Sequence, residues 1–334
     1  MSTKRKILSK IQSESVLIGI LHLIGLLSLY RDADHTRRGR PYVYPTTVIL
    51  RCFVVRIWFR IPSNNALHYF LSINTAHHTK IIQSCGLHTL PDRRTFDRRF
   101  KIIPVGQIIA NMGLRFLTEN LAESYVADVD SAIVPCKKVW HKSDMKQNRI
   151  PVSGIDTDAR WGFSKSSGWV FGYKLHMCCS TGKLAVPLTA NISTANVYDP
   201  HMYHTLTGPL AGIIPYMAAD SLYSSDDLYH SSREKGIILV CPIKRYRHTK
   251  GVRLKRYRFF RSRKGQKIIQ RRNSIERMFD RIKDTFGISY LPVRGRYNVS
   301  SYVLMCVFVY QVAIYYNCMM GTNKPQCVKH MLGN

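Results

Sequence analysis

The sequence predicts an α/β chain: a mixed sheet flanked by helices, preceded by an α-helical region. Three observations carry this. Residues 44–123 read in helical periodicity, β-rich runs begin near residue 124 with a hairpin, and strands alternate with helices after it. The expected boundaries are 1–123 for the helical region, 124–323 for the sheet domain and 324–334 for a tail.

Taken in order, residues 1–40 hold an apolar helix candidate and a charged linker, "RDADHTRRGRP". "TTVILRCFVVRIWFR" follows as a helix with Arg51, Arg56 and Arg60 near one face. Ser63 is placed to cap the short helix "SNNALHYFLSI", and Asp92 to cap "LPDRRTFDRRFKII". This last helix carries Arg93, Arg94, Arg98 and Arg99. Short helices ending in a basic one suit a helix-turn-helix reader of DNA, and equally a small bundle with a solvated arginine face.

In the second region "SYVADVDSAIV" is the first strand. "YKLHMCCST" (173–181) and "LAVPLTANIS" (184–193) form a hairpin about Gly182 and Lys183. A helix near 199–211, a strand at 216–221, a helix at 224–235 and a strand at 236–243 complete the sheet. Further helices follow.

Lys and Arg total 50 against 20 acids, a formal charge of +30. The excess is distributed, with 18 bases and 7 acids in residues 1–123 and 32 and 13 in the remainder. Self-repulsion on this scale calls for a polyanionic partner. Nine cysteines without a C-x-x-C pair read as ordinary thiols of a reducing compartment, not as a zinc centre or a disulfide framework. The uncharged stretch 297–323 is long enough to span a bilayer, but Asn298, Gln311 and Asn317 dilute it and a buried core helix fits as well.

The segment 244–272 holds 14 bases and no acid, interleaved with Tyr246, Tyr257, Phe259 and Phe260. Bases contact phosphates and aromatic rings stack on nucleobases, so Lys255, Arg256 and Arg258 here are candidate DNA contacts. Three acids stand out against this background. Asp130 shares a strand face with Asp128, Asp220 ends an apolar run, and Glu276 lies on a helix with Arg272, Asp280 and Lys283 along one stripe. Ile275, Phe279, Ile282 and Phe286 form the apolar stripe of that helix, and Gly287 ends it. Each acid is, on the plain reading, a turn residue, a helix cap or half of a surface ion pair. Together they suit a divalent-metal phosphoryl-transfer site, with Arg272 and Lys283 placing phosphates.

The motifs resemble those of the DDE transposases of prokaryotic insertion sequences. "ADVDSAIVP" is similar to the family's first catalytic strand at Asp130, and "GWVFGYKLH" to the strand after it. "NISTANVYDP" resembles the Asn-x-x-Asp segment through Asn196 and Asp199, and "AADSLYSS" the second catalytic motif through Asp220 and Tyr223. "RRNSIERMFDRIK" resembles the Tyr-x2-Arg-x3-Glu-x6-Lys signature at Arg272, Glu276 and Lys283, with Ile269 standing where that signature has Tyr. "GRPYVYPTTVILRCFVV" and "LPDRRTFDRRF" are similar to the family's N-terminal DNA-binding segment.

The resemblance implies a ribonuclease-H-like catalytic domain in which Asp130, Asp220 and Glu276 are catalytic and hold two Mg²⁺ ions, with Mn²⁺ able to substitute. It implies cut-and-paste transposition on double-stranded DNA, both terminal inverted repeats and target. The chain then works as a homodimer or larger assembly on DNA, in the cytoplasm with the nucleoid and without a membrane. Tyr223, Arg93, Arg94, Arg98 and Arg99 join Arg272, Lys283 and the basic segment as expected DNA contacts. The apolar C-terminal stretch is expected on the catalytic core. Three other readings stand beside this one: a degenerate copy that binds ends without cutting, a nuclease for branched or hybrid duplexes, and a basic membrane protein.

Overall fold

The computed structural model describes residues 3–32, 42–164, 167–244, 246 and 249–332. The charged linker expected around 31–41 lies largely outside the described residues, as do positions 245, 247 and 248 of the basic segment. In chain order the first helices are α1 (Thr3–Leu26), α2 (Thr46–Trp58), α3 (Asn64–Ser72), α4 (Ala76–Cys85), α5 (Arg93–Ile102) and α6 (Val105–Thr118). Strand β1 (Val126–Pro135), the short α7 (Lys142–Lys146), β2 (Arg160–Ser164), β3 (Gly168–Ser180) and β4 (Pro187–Thr194) follow. Next are α8 (Tyr203–Thr207), β5 (Tyr216–Ala218), α9 (Asp226–Glu234) and β6 (Ile238–Val240). The chain finishes with α10 (Gly251–Arg261), α11 (Arg263–Gln270), α12 (Asn273–Phe286) and α13 (Arg296–Met319).

These elements form two compact units, 1–111 with 292–334, and 112–291. The expected division is corrected here. Helix α13 groups with the N-terminal helices, packing on α1, α2 and α5, and not with the sheet. Its sequence is apolar all round because its neighbours surround it: 89% of its most apolar stretch is buried. Among the described residues it is the one helix long and apolar enough to cross a membrane.

In this first unit the caps form locally. Ser63 Oγ accepts from Ala66 N at 3.0 Å, and Asp92 Oδ1 from Arg94 N at 2.8 Å. Arg56, expected on a basic face, is fully enclosed. Its guanidinium donates to the carbonyls of Ile61 and Pro62 and to Asn64 Oδ1, and lies over the rings of Phe100 and Tyr302. Satisfying the buried donors in this way offsets the desolvation that pushes this guanidinium down to about 10.

The second unit is built on one mixed sheet, in the order β2-β3-β1-β5-β6, with β4 also paired to β3. Strands β1, β3 and β4 are antiparallel, whereas β5 and β6 run parallel to β1. The hairpin between β3 and β4 turns at Gly182, whose φ of 98° is open to glycine at little cost. Strand β2 falls between the first expected strand and the hairpin, where no strand was expected. It is an edge element whose Phe163 and Trp169 partner remain exposed, so it lacks the alternation of a half-buried strand. The basic segment is helical over α10 and α11. Gly265 lets these two helices approach, since a Cβ there would run into the carbonyls of Phe259 and Phe260.

Candidate active site

The last parallel pair between β1 and β5 is Asp128 with Ala218. Asp130 and Asp220 therefore lie at the same register, each two residues beyond that pair. Strand β1 itself continues to Pro135 along β3, so Asp130 lies just beyond the parallel ladder and still within the strand. A sheet edge of this kind, where a parallel and an antiparallel neighbour part, is the usual crevice for a ligand.

Helix α12 packs on β1 and β3 through buried Ile275, Met278, Phe279, Ile282 and Phe286. Gly287, at φ 63°, ends it in a left-handed cap. This docking presents Glu276, 60% exposed along its side chain, and the half-buried Arg272 just before the helix. Arg272 Nη2 donates to Asp130 Oδ2 at 2.8 Å and lies 3.7 Å from Glu276 Oε1. Burial opposes its charge, but the bond to Asp130 and the charges of Asp130, Asp220 and Glu276 more than reverse this and hold the guanidinium above its ordinary value. Arg272 thus bonds Asp130 and stands beside Glu276, and its charge reaches Asp220 without a direct contact.

Asp220 Oδ1 also caps the turn of Ser221–Tyr223 by accepting from Leu222 N at 2.8 Å. Burial raises its carboxyl, the Leu222 N–H opposes that, and Asp130 adds to it. Behind Asp130, Asp128 is fully enclosed with both carboxylate oxygens unpartnered. Burial pushes Asp128 up to about 8, against the pull of Arg272. The alternation of strand side chains placed it on the face of Asp130, but its burial was not evident from the sequence.

The other family-like motifs converge here. Lys174 Nζ donates to Asp199 Oδ1 at 2.8 Å, and His176 shares a 2.8 Å hydrogen bond between Nε2 and Ser193 Oγ. His176 Nδ1 stands 3.9 Å from Asp199, whose charge reaches both Asp220 and Tyr223. Ile269, at the position of the signature tyrosine, packs against the cluster of Val126, Ala218, Val240 and Ile268.

Three expected DNA contacts need correction because they are buried. Tyr223 is enclosed beneath the site. Arg99 donates to the Tyr44 carbonyl and Thr46 Oγ1 and covers the ring of Tyr42. Arg256 is held by the Ser225 carbonyl, Asp226 and Cys241 Sγ. Arginine's long apolar stem and fork of donors suit it to such internal tethering, which charge alone in a sequence does not reveal. Arg93, Arg94, Arg98, Lys255 and Arg258 are exposed, and Lys283 is half-buried.

A hard divalent cation is compatible with these donors, which are carboxylate oxygens with no thiol or imidazole among them. Among the described residues no three such side chains stand close enough to hold an ion as they are. Arg272 supplies the positive charge between them.

A comparison with curated proteins found no match. Among solved structures, the piggyBac transposase in a synaptic complex with hairpin DNA is similar at a TM-score of 0.41 and 12% identity, over 96% of this chain and 75% of that one. The family model described as "Transposase DDE domain" matches residues 122–312, more than half of the chain. That span contains Asp130, Asp220 and Glu276, and the chain belongs to the DDE transposase domain family.

Proposed function

We propose that the chain cuts the ends of a DNA element and joins them to target DNA. The observation that carries this is the equal register of Asp130 and Asp220 beside Glu276, all drawn to Arg272. Asp130, Asp220 and Glu276 would hold two Mg²⁺ ions, or Mn²⁺. When bound, such ions supply activation of the attacking oxygen and stabilisation of the leaving one. Arg272 and Lys283 orient DNA phosphates, and Arg272, which pairs with Asp130 here, would have to release it for Asp130 to hold a metal. Lys174 holds Asp199, whose charge reaches Asp220, and so helps keep that edge of the site in place. The antiparallel trio β4-β3-β1, continued by parallel β5 and β6, supports the ribonuclease-H-like reading of the sheet.

The exposed Arg93, Arg94 and Arg98 of α5, with Lys255 and Arg258 of α10, supply the sequence-independent grip on duplex DNA. Terminal inverted repeats and target are the duplex partners, bridged by at least two copies of the chain in the nucleoid of a prokaryotic cell. A binding-only reading is favoured by one observation, the absence of a metal-ready trio among the described residues. The test is a labelled duplex carrying the inverted repeat beside the gene, incubated with Mg²⁺ or Mn²⁺. Cutting at the repeat boundary that Glu276→Gln abolishes supports the enzyme. Retained binding without cutting by the parent chain selects the second reading.

A further inference from the structure

A second concave, cationic site lies on the opposite edge of the sheet from the carboxylates. Val126 and Tyr216 begin the parallel pair β1 and β5, whose far ends lead to Asp130 and Asp220. Four residues of strand separate the two edges, roughly 13 Å. Here a cavity of about 540 Å³ is lined by Tyr125, Val126, Arg263, Lys264, Lys267, Ile268 and Arg271.

The sequence builds it from the basic segment 244–272. Helix α11 buries Ile268 toward the sheet and Gly265 against α10, so Arg263, Lys264 and Lys267 are left on the outer side, all exposed. Arg271 closes the far end, paired with Glu123, the single acid of this rim. Arg263 and Lys267 have no carboxylate partner among the described residues. Lys264 Nζ donates to Tyr216 Oη at 2.6 Å and lies over the rings of Tyr125 and Tyr216. Tyr125 and Tyr216 lean together with centroids 5.1 Å apart, and Phe259 stacks behind Tyr216. Tyr125 is 44% exposed and lines the cavity, so part of its ring is open to a ligand.

Four cations against one acid call for an anion, and an accessible aromatic ring beside them calls for a planar group joined to it. A cavity this size falls in the range that takes a small organic ligand. We infer that this pocket binds one unpaired nucleotide of a DNA strand, its phosphates on Arg263, Lys267 and Arg271 and its base on Tyr125. The base must leave a duplex stack to enter, so the ligand is a single-stranded segment. This inference rests on DNA as the partner, but not on cutting. It gives the chain a strand-holding site separate from its carboxylates.

The test uses the full chain carrying Glu276→Gln, without divalent metal, and a single-stranded oligonucleotide bearing 5-iodouracil. Irradiation is expected to crosslink Tyr125. Arg263→Glu with Lys267→Glu should weaken strand binding at least tenfold. It should also lower the salt slope by about 1.4, from two phosphate contacts at roughly 0.7 each. Tyr125→Ala should cost roughly tenfold, in line with loss of one stacked base. The matched pair Lys146→Glu with Lys324→Glu, both exposed and neither lining this pocket, should leave the crosslink intact and cost much less.

Equal losses in both charge-reversed pairs would overturn the site in favour of general electrostatics, as would crosslinks that avoid Tyr125. Competition by thymidine monophosphate or inorganic phosphate at the strand's own concentration would transfer the pocket to a free nucleotide or phosphate and overturn the strand. A chain that passes these tests and yet never cuts DNA loses only its proposed catalytic function.

Discussion

Replacing Arg272 by Gln removes the positive charge that bonds Asp130 and stands beside Glu276 while keeping a hydrogen-bonding side chain. The bond to Asp130 is 2.8 Å long, with side-chain exposures of 24% and 17%. At an effective dielectric of about 20, two unit charges at that separation attract by roughly 6 kcal/mol. Desolvation of both groups cancels most of this. Fully buried pairs lose about 3–5 kcal/mol when one partner is removed, exposed pairs about 0–1, and this pair lies between. The expected destabilisation is therefore about 1–3 kcal/mol, read from urea unfolding in EDTA. If these acids hold Mg²⁺ as proposed, saturating Mg²⁺ should stabilise the variant more than the parent, because the carboxylates would no longer be occupied by a guanidinium. Arg272→Lys should recover only part of the loss, lacking the planar fork. A glutamine variant as stable as the parent in EDTA would refute this ion-pair account.

Gly113→Ala should destabilise by about 1–3 kcal/mol in thermal or urea unfolding, although alanine is the better helix former, because its Cβ would strike the Leu188 backbone carbonyl. Ser63→Ala should cost about 1 kcal/mol through the lost cap to Ala66, and Ser63→Thr should retain most of it. Burial lowers His176 to about 4, so the unfolded chain takes up this proton first as pH falls. Its contribution is complete above the ordinary value of about 6.5 and is lost between there and about 4; by pH 5 the loss is about 2 kcal/mol. The His176→Gln variant should show a shallower decline in urea-derived stability between pH 7 and 5; an unchanged slope would remove His176 as its source.

Much of the sheet was legible because its strands carry strong local signals. The run before Asp220 and the hairpin at Gly182 are short apolar segments bounded by turn residues, and both strands and turn formed there. The α12 stripes were equally legible, since Ile275, Phe279, Ile282 and Phe286 repeat at helical spacing and all are buried. What failed had a common cause: burial of a charged side chain is decided by neighbours distant in sequence. Arg99 meets Tyr44 and Thr46, and Arg256 meets Ser225 and Asp226, partners that no local window contains. Helices α10 and α11 were obscured by their dense positive charge, which lowers local helical stability until Ile268 and Ile269 dock on the sheet. Helix α13 gave the right burial but the wrong partner, because an all-round apolar helix does not specify which core it enters.

The spacing of the acids along the chain gives the site an order of assembly. Asp130 meets the register of Asp220 only after β1 has paired with β5, about ninety residues later, and Glu276 arrives on α12 later still. Contacts of such sequence separation form late in folding, and during synthesis they wait for the downstream strand to emerge. A nascent or prematurely terminated chain ending before α12 carries both aspartates but lacks Glu276 and the counter-charge of Arg272. Translation itself thus acts as a safety catch: the carboxylate set is completed only once most of the polypeptide has been made.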